Sequence, residues 1–135
     1  MNYFFSPKEI MAIVSISYKQ LEYWDKTELV SPTTETTLKK SRVYNLEDLL
    51  LIYVIKYLRE NHKKLFSVQS LRAKIAELRE LLSTLEDDIY KSVIVFYKKD
   101  LFIAVGDLVL TETVKDKMIT IPVKDLMQKV IEHKQ

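Results

Sequence analysis

The chain has 135 residues, of which 47% are hydrophobic and 30% charged, with a formal net charge of +2, the balance of an ordinary soluble globular domain with a small appendage. Cysteine is absent, which excludes disulfides, thiolate zinc sites and thiol redox sensing. The longest apolar stretch, residues 49–55, is far short of the about 20 residues a membrane helix needs, and no leader-like start is seen, so a cytoplasmic protein with no membrane partner is expected.

In chain order, Ser6-Pro7-Lys8-Glu9 reads as a capping box with proline at the first helical position, and Ile10, Met11, Ile13 and Val14 supply a brief apolar stripe. Ser17 opens a second short helix that stops abruptly at Leu29-Val30-Ser31-Pro32. Leu21 and Trp24 share one side, for the core, while Lys19, Tyr23 and Lys26 line another and face outward. Two short helices with a tight joint are the helix-turn-helix pattern. From the start of the second helix Ser17, Tyr18, Lys19 and Gln20 would meet double-stranded DNA, glutamine suiting adenine and lysine guanine, and the Tyr23 hydroxyl would donate to a phosphate. A solvated helix face is the competing account. Glu22 and Asp25 oppose dense phosphate contact and are expected to pair with Lys19 or Lys26 along the helix.

Residues 33–38 are polar and β-branched, and Lys39, Lys40 and Arg42 then crowd into four positions before Val43-Tyr44. This suits a two-stranded wing whose cations contact phosphate or the minor groove, against the plainer account of a solvated hairpin. Tyr44 reads equally as a phosphate donor or a core residue. Lys63 and Lys64 form a second basic pair, and residues 1–66 hold ten Lys/Arg against eight Asp/Glu, where residues 67–135 hold eleven of each. Asn45 caps a third helix, residues 46–60, apolar almost all round and therefore buried on several sides.

Ser67 caps a longer helix expected to run to about residue 87. Val68, Leu71, Ile75, Leu78, Leu82, Leu85 and Ile89 alternate spacings of three and four, a heptad seam that serves either a second copy or the helix's own domain. Beyond it the period becomes strand-like over 92–97, 101–105, 108–114 and 118–121, with Gly106-Asp107 as a two-residue hairpin signal. Pro122 opens a last helix whose Val123, Leu126, Met127, Val130 and Ile131 form one stripe to cover the sheet. His62 and His133 stand alone, Glu86-Asp87-Asp88 reads as a solvated helix end, and neither a phosphate-cradling glycine loop nor a nucleophilic triad can be assembled. No metal, no cofactor and no enzyme activity are expected.

Ser17-Tyr18-Lys19-Gln20-Leu21-Glu22-Tyr23-Trp24 and the Leu29-Val30-Ser31-Pro32 exit resemble the MerR family of transcription regulators, in the variant that reads S-Y-R-Q-L-D-Y-W followed by G-L-V-x-P. Arg42-Val43-Tyr44 corresponds to its R-[LV]-Y, Asn45-Leu46-Glu47-Asp48-Leu49 to the start of its third helix, and Phe66-Ser67-Val68-Gln69-Ser70-Leu71-Arg72 is a weaker echo of F-S-L-x-x-I-R. Glu28 stands where the family has glycine in a left-handed exit, and residues 33–41 lack glycine, so both turns must be built differently or with strain. The loop at 61–65 is longer than usual.

The resemblance implies a homodimer joined through an antiparallel helix at Val68, Leu71, Ile75, Leu78, Leu82 and Leu85. Each subunit would read half of an operator, with RNA polymerase as a further partner where an over-long promoter spacer is distorted. Sensing through cysteines, used by metal and redox members, is closed to this chain. The expected whole is an α+β fold: a winged helix-turn-helix at 1–66, a dimerisation helix at 67–90, and a small antiparallel β-meander with a terminal helix at 91–135. An excisionase-like architectural DNA-binding protein, or a protein-interaction module using the sheet edge, are the rival readings.

Overall fold

Ser6, Ser17 and Asn45 each start a helix in the computed structural model, which describes residues 4–32, 34–36, 41–62, 66–98, 100–106 and 118–134. Each sits in extended backbone at the N-cap, and Glu9, Gln20 and Asp48 return the bond three residues on. These reciprocal boxes satisfy backbone donors that the first helical turn leaves open. They begin α1 (Pro7–Val14), α2 (Tyr18–Lys26) and α3 (Leu46–Asn61). A fourth helix, α4 (Val68–Ser83), starts on Ser67, whose hydroxyl accepts from the Ser70 N–H at 3.1 Å.

The chain divides into two units, Met1–Arg79 and Glu80–Gln135, so the boundary falls inside α4. In the first, β1 (Phe4–Phe5), β2 (Thr34–Thr36) and β3 (Ser41–Asn45) form an antiparallel sheet in the order β1-β3-β2. The hairpin of β2 and β3 is the expected wing; β1 was too short to show a period. α3 buries Leu49, Leu50, Leu51, Ile52, Val54, Ile55 and Leu58, at about 1.5–3 kcal/mol for each such side chain. Its all-round apolar pattern makes it the centre of this unit.

α4 ends at Ser83, short of residue 87. The Ser83 and Thr84 hydroxyls donate to the carbonyls of Glu80 and Leu81, both at 2.7 Å, and Glu86 takes a left-handed φ of 51°. Local hydroxyl bonds of this kind compete with helix continuation. A 3-10 turn, Glu86–Lys91, follows and carries the buried Ile89. Leu71, Ile75, Leu78 and Leu82 are already buried within the single chain, and Leu85 is half-buried. Those four residues of the seam are therefore covered by their own chain. The Val68 side chain lies outside the described residues.

The second unit contains β4 (Ser92–Tyr97), β5 (Asp100–Val105), β6 (Met118–Pro122) and α5 (Val123–Lys134). Its sheet is antiparallel, but its order is β5-β4-β6, so these strands do not follow meander order. The strongly apolar β4 takes the central place, where both edges are paired: Ile94 faces Ile103 and Ile121, and Phe96 faces Leu101 and Ile119. The expected strand at 108–114 and Asp107 lie outside the described residues. Gly106, with φ of 95°, donates its N–H to the Lys91 carbonyl at 3.0 Å, a conformation that suits glycine. Ser92, Ile94, Phe96, Leu101 and Ile121 fill one face of the sheet, and Val123, Leu126, Met127 and Val130 are the buried stripe of α5. Ile131, expected in that stripe, is exposed.

Candidate nucleic-acid interface

The joint between α1 and α2 is as tight as their spacing required. Ser15 closes α1 in a left-handed conformation and donates its N–H to the Met11 carbonyl, Ile16 is buried, and Ser17 caps α2. Lys56 of α3 donates to the Val14 carbonyl at 2.6 Å, placing a cation on the negative end of α1. With Leu21 and Trp24 buried, α2 turns Tyr18, Lys19, Gln20, Tyr23 and Lys26 to solvent; Tyr18 and Tyr23 are 53% and 52% exposed. Gln20 is not wholly available for base reading, because its side-chain oxygen accepts the Ser17 N–H at 3.1 Å. Ser17 is itself occupied, its hydroxyl accepting from the Gln20 N–H.

The exit from α2 is strained as the missing glycine foretold. Glu28 has φ of 60°; its N–H donates to the Asp25 carbonyl at 3.0 Å, and the Leu29 N–H to the Trp24 carbonyl at 2.9 Å. These two bonds are a Schellman exit with glutamate at the left-handed position. Arg72 of α4 donates to the Thr27 carbonyl. Both ends of the outward helix are thereby held.

The wing departs from expectation at two residues. Arg42 is half-buried and lies 3.3 Å from the Asp25 carboxylate of α2, whereas Asp25 was expected to pair along its own helix. Among the described residues, Glu22 and Lys26 do pair in that way, at 3.8 Å. Tyr44, two residues along β3 and so on the same side, is fully buried and cannot reach a phosphate. Its hydroxyl makes no aligned hydrogen bond among the described residues. Burial, and then the charge of Asp25, push its pKa up to about 12, against the opposing pull of Arg42. Lys39, Lys40, Lys63 and Lys64 lie outside the described residues.

Sequence reasoning found the Ser6–Glu9 box and the Ser17 and Asn45 caps, but not the box partners Gln20 and Asp48. Asp48, the third residue of the Asn45 box, is fully buried and meets Arg79 of α4 at 2.8 Å. Arg79, Arg72 and Lys56 carry no local signal of these roles; a capping carboxylate at an otherwise apolar position was the one available hint for Asp48. Among the described residues no group of three or more His, Asp or Glu is placed to hold a metal, and no helix is long and apolar enough to cross a membrane.

A helix-turn-helix whose second helix presents an exposed polar and aromatic face, in one unit with an antiparallel β2–β3 hairpin, defines a winged helix-turn-helix protein. Residues 5–84 match the family model described as MerR HTH family regulatory protein, and the chain belongs to that family. It is similar to an uncharacterised HTH-type transcriptional regulator of Mycobacterium bovis and to counterparts from two strains of Mycobacterium tuberculosis. Each is 30% identical over 70 residues, covering 50% of this chain and 30% of the relative.

Proposed function

We propose that this protein is a sequence-preferring, duplex-DNA-binding transcriptional regulator that acts as a homodimer. The observation that carries the reading is the exposed face of α2, where Tyr18, Lys19, Gln20 and Tyr23 stand on a helix capped at its start and tied at its end. The amino-terminal residues of such a helix meet base edges in the major groove, and the wing cations Lys39 and Lys40, with Lys63 and Lys64, serve the backbone, joined by Arg42 when it leaves Asp25. Ser17 joins them through the positive helix terminus, which favours a phosphate.

Dimerisation is proposed through α4. Because Leu71, Ile75, Leu78 and Leu82 are already buried within the single chain, the contact we propose runs along the flanks of the Val68-to-Leu85 seam. RNA polymerase is the further partner implied by family membership. Location in the cytoplasm and absence of enzyme activity follow from the same reading.

A second reading has one observation in its favour. Phe102 and Val105 are exposed on β5, which lies at the edge of its sheet among the described strands. A protein partner adding a strand there would suit an interaction module. Selection of bound sites from random duplex DNA separates the readings. A spaced inverted repeat supports the dimeric regulator, a single half-site supports an architectural role of the excisionase kind, and no enrichment overturns sequence-preferring binding.

A further inference from the structure

The sequence places Arg42 outward on the wing beside Lys39 and Lys40; the register of β3 turns it inward, and the inversion singles out Asp25. Arg42 shares a side of β3 with the fully buried Tyr44 and comes within 3.3 Å of the Asp25 carboxylate on α2. The two side chains are 34% and 22% exposed. A half-exposed pair of this kind is weak and exchangeable. A phosphate oxygen offers the same guanidinium an equivalent charge-assisted bond.

On the reading that α2 and the wing hold duplex DNA, we infer that Asp25 is a positioning and specificity-determining residue. It is an internal counter-ion that aligns Arg42 on the recognition helix and withholds it from indiscriminate phosphate contact. Sequence-independent affinity comes from cations that displace counterions from phosphates, and a guanidinium already neutralised by a carboxylate contributes little to it. Base-edge contacts from Lys19 and Gln20 are untouched by that pairing, so Asp25 lowers affinity for wrong sequences more than for the right one. Glu22 provides the internal contrast. It carries the same charge on the same helix, but its partner is Lys26, whose side chain is 74% exposed and already free to move.

The test is a salt titration of binding to a selected operator and to random duplex, using the full chain with D25N, E22Q, R42A and the double variant D25N/R42A. Trp24 emission in thermal melts verifies that each folds, and D25S carries the same expectation should D25N not fold. D25N should bind random duplex severalfold more tightly and steepen the salt slope by about 0.9, the value of one phosphate contact. A fourfold rise in salt then costs it roughly threefold more affinity than it costs the wild type. E22Q should keep the wild-type slope, and D25N should add nothing in the R42A background. An unchanged slope in D25N, or equal steepening in E22Q or D25N/R42A, overturns the role of Asp25 while leaving DNA binding intact. Failure of the wild type to bind any duplex overturns both.

Discussion

The amino-terminal unit holds its exposed helix with charged and polar ties, whereas the carboxy-terminal unit is held by apolar burial and also leaves the apolar Phe102 exposed on its sheet. Arg72 to the Thr27 carbonyl, Lys56 to the Val14 carbonyl and Asp48–Arg79 each join a helix end or flank to another element. Such bonds are directional, so they orient the helices they join, and the Arg72 bond does so at the end of α2. In the second unit Ile94, Phe96, Leu101 and Ile121 fill one sheet face, while Phe102, paired opposite Val95 on the other, is 51% exposed. Hydrophobic burial is non-directional and gives cohesion without placing a surface. The difference teaches where directional ties concentrate in this chain, and it is around the helix proposed to read DNA.

The comparison breaks most readily at Phe96. If apolar burial holds the second unit, Phe96→Ala should cost about 3–5 kcal/mol, the usual range for emptying a buried aromatic site. Urea unfolding followed by far-ultraviolet circular dichroism measures it, and a loss below about 1 kcal/mol would remove that premise. Next in size is Asp48→Ala, which deletes a helix-capping acceptor and strands Arg79. We expect about 2–3 kcal/mol, towards the low side because Arg79 is 37% exposed and can rehydrate. Trp24, the chain's one tryptophan, reports this transition from within the same unit. A change of only a few tenths of a kcal/mol would show that the tie does little to hold α3.

Smaller effects sharpen the same contrast. Glu28→Gly relieves the left-handed residue at the exit of α2 and should stabilise the first unit by about 1 kcal/mol; a loss of stability would show that the Glu28 side chain is engaged. Tyr44→Phe deletes a buried hydroxyl that lacks an aligned partner, so at neutral pH it should be neutral or stabilising by up to about 1 kcal/mol, with DNA affinity unchanged. Alkaline pH supplies the signed version. The folded pKa of Tyr44 is raised from 10.0 to about 12, so in that window the unfolded chain releases a proton that the folded chain retains. Its contribution is intact below pH about 10 and lost as pH rises towards 12. The wild type should therefore lose more stability than Tyr44→Phe over that interval in parallel denaturation curves.

What could be read from the chain alone was local. The Ser6–Glu9 capping box, the Ser17 and Asn45 caps, the tight α1–α2 joint, the outward set of α2, the all-round burial of α3 and the strained exit at Glu28 all follow from residue types at fixed short spacings, because caps, turns and helical faces are decided within a few residues. The fold class and the winged helix-turn-helix were legible for that reason. Other features needed the fold: the short strand β1, the early end of α4, the β5-β4-β6 order, the burial of Tyr44, and the pairing of Asp25 with Arg42 and of Asp48 with Arg79. A heptad stripe on α4 specifies an apolar face but not which surface covers it, and a wing arginine specifies a charge but not the side of the strand it takes. Those choices depend on residues tens of positions away, brought close only when the core of each unit closes.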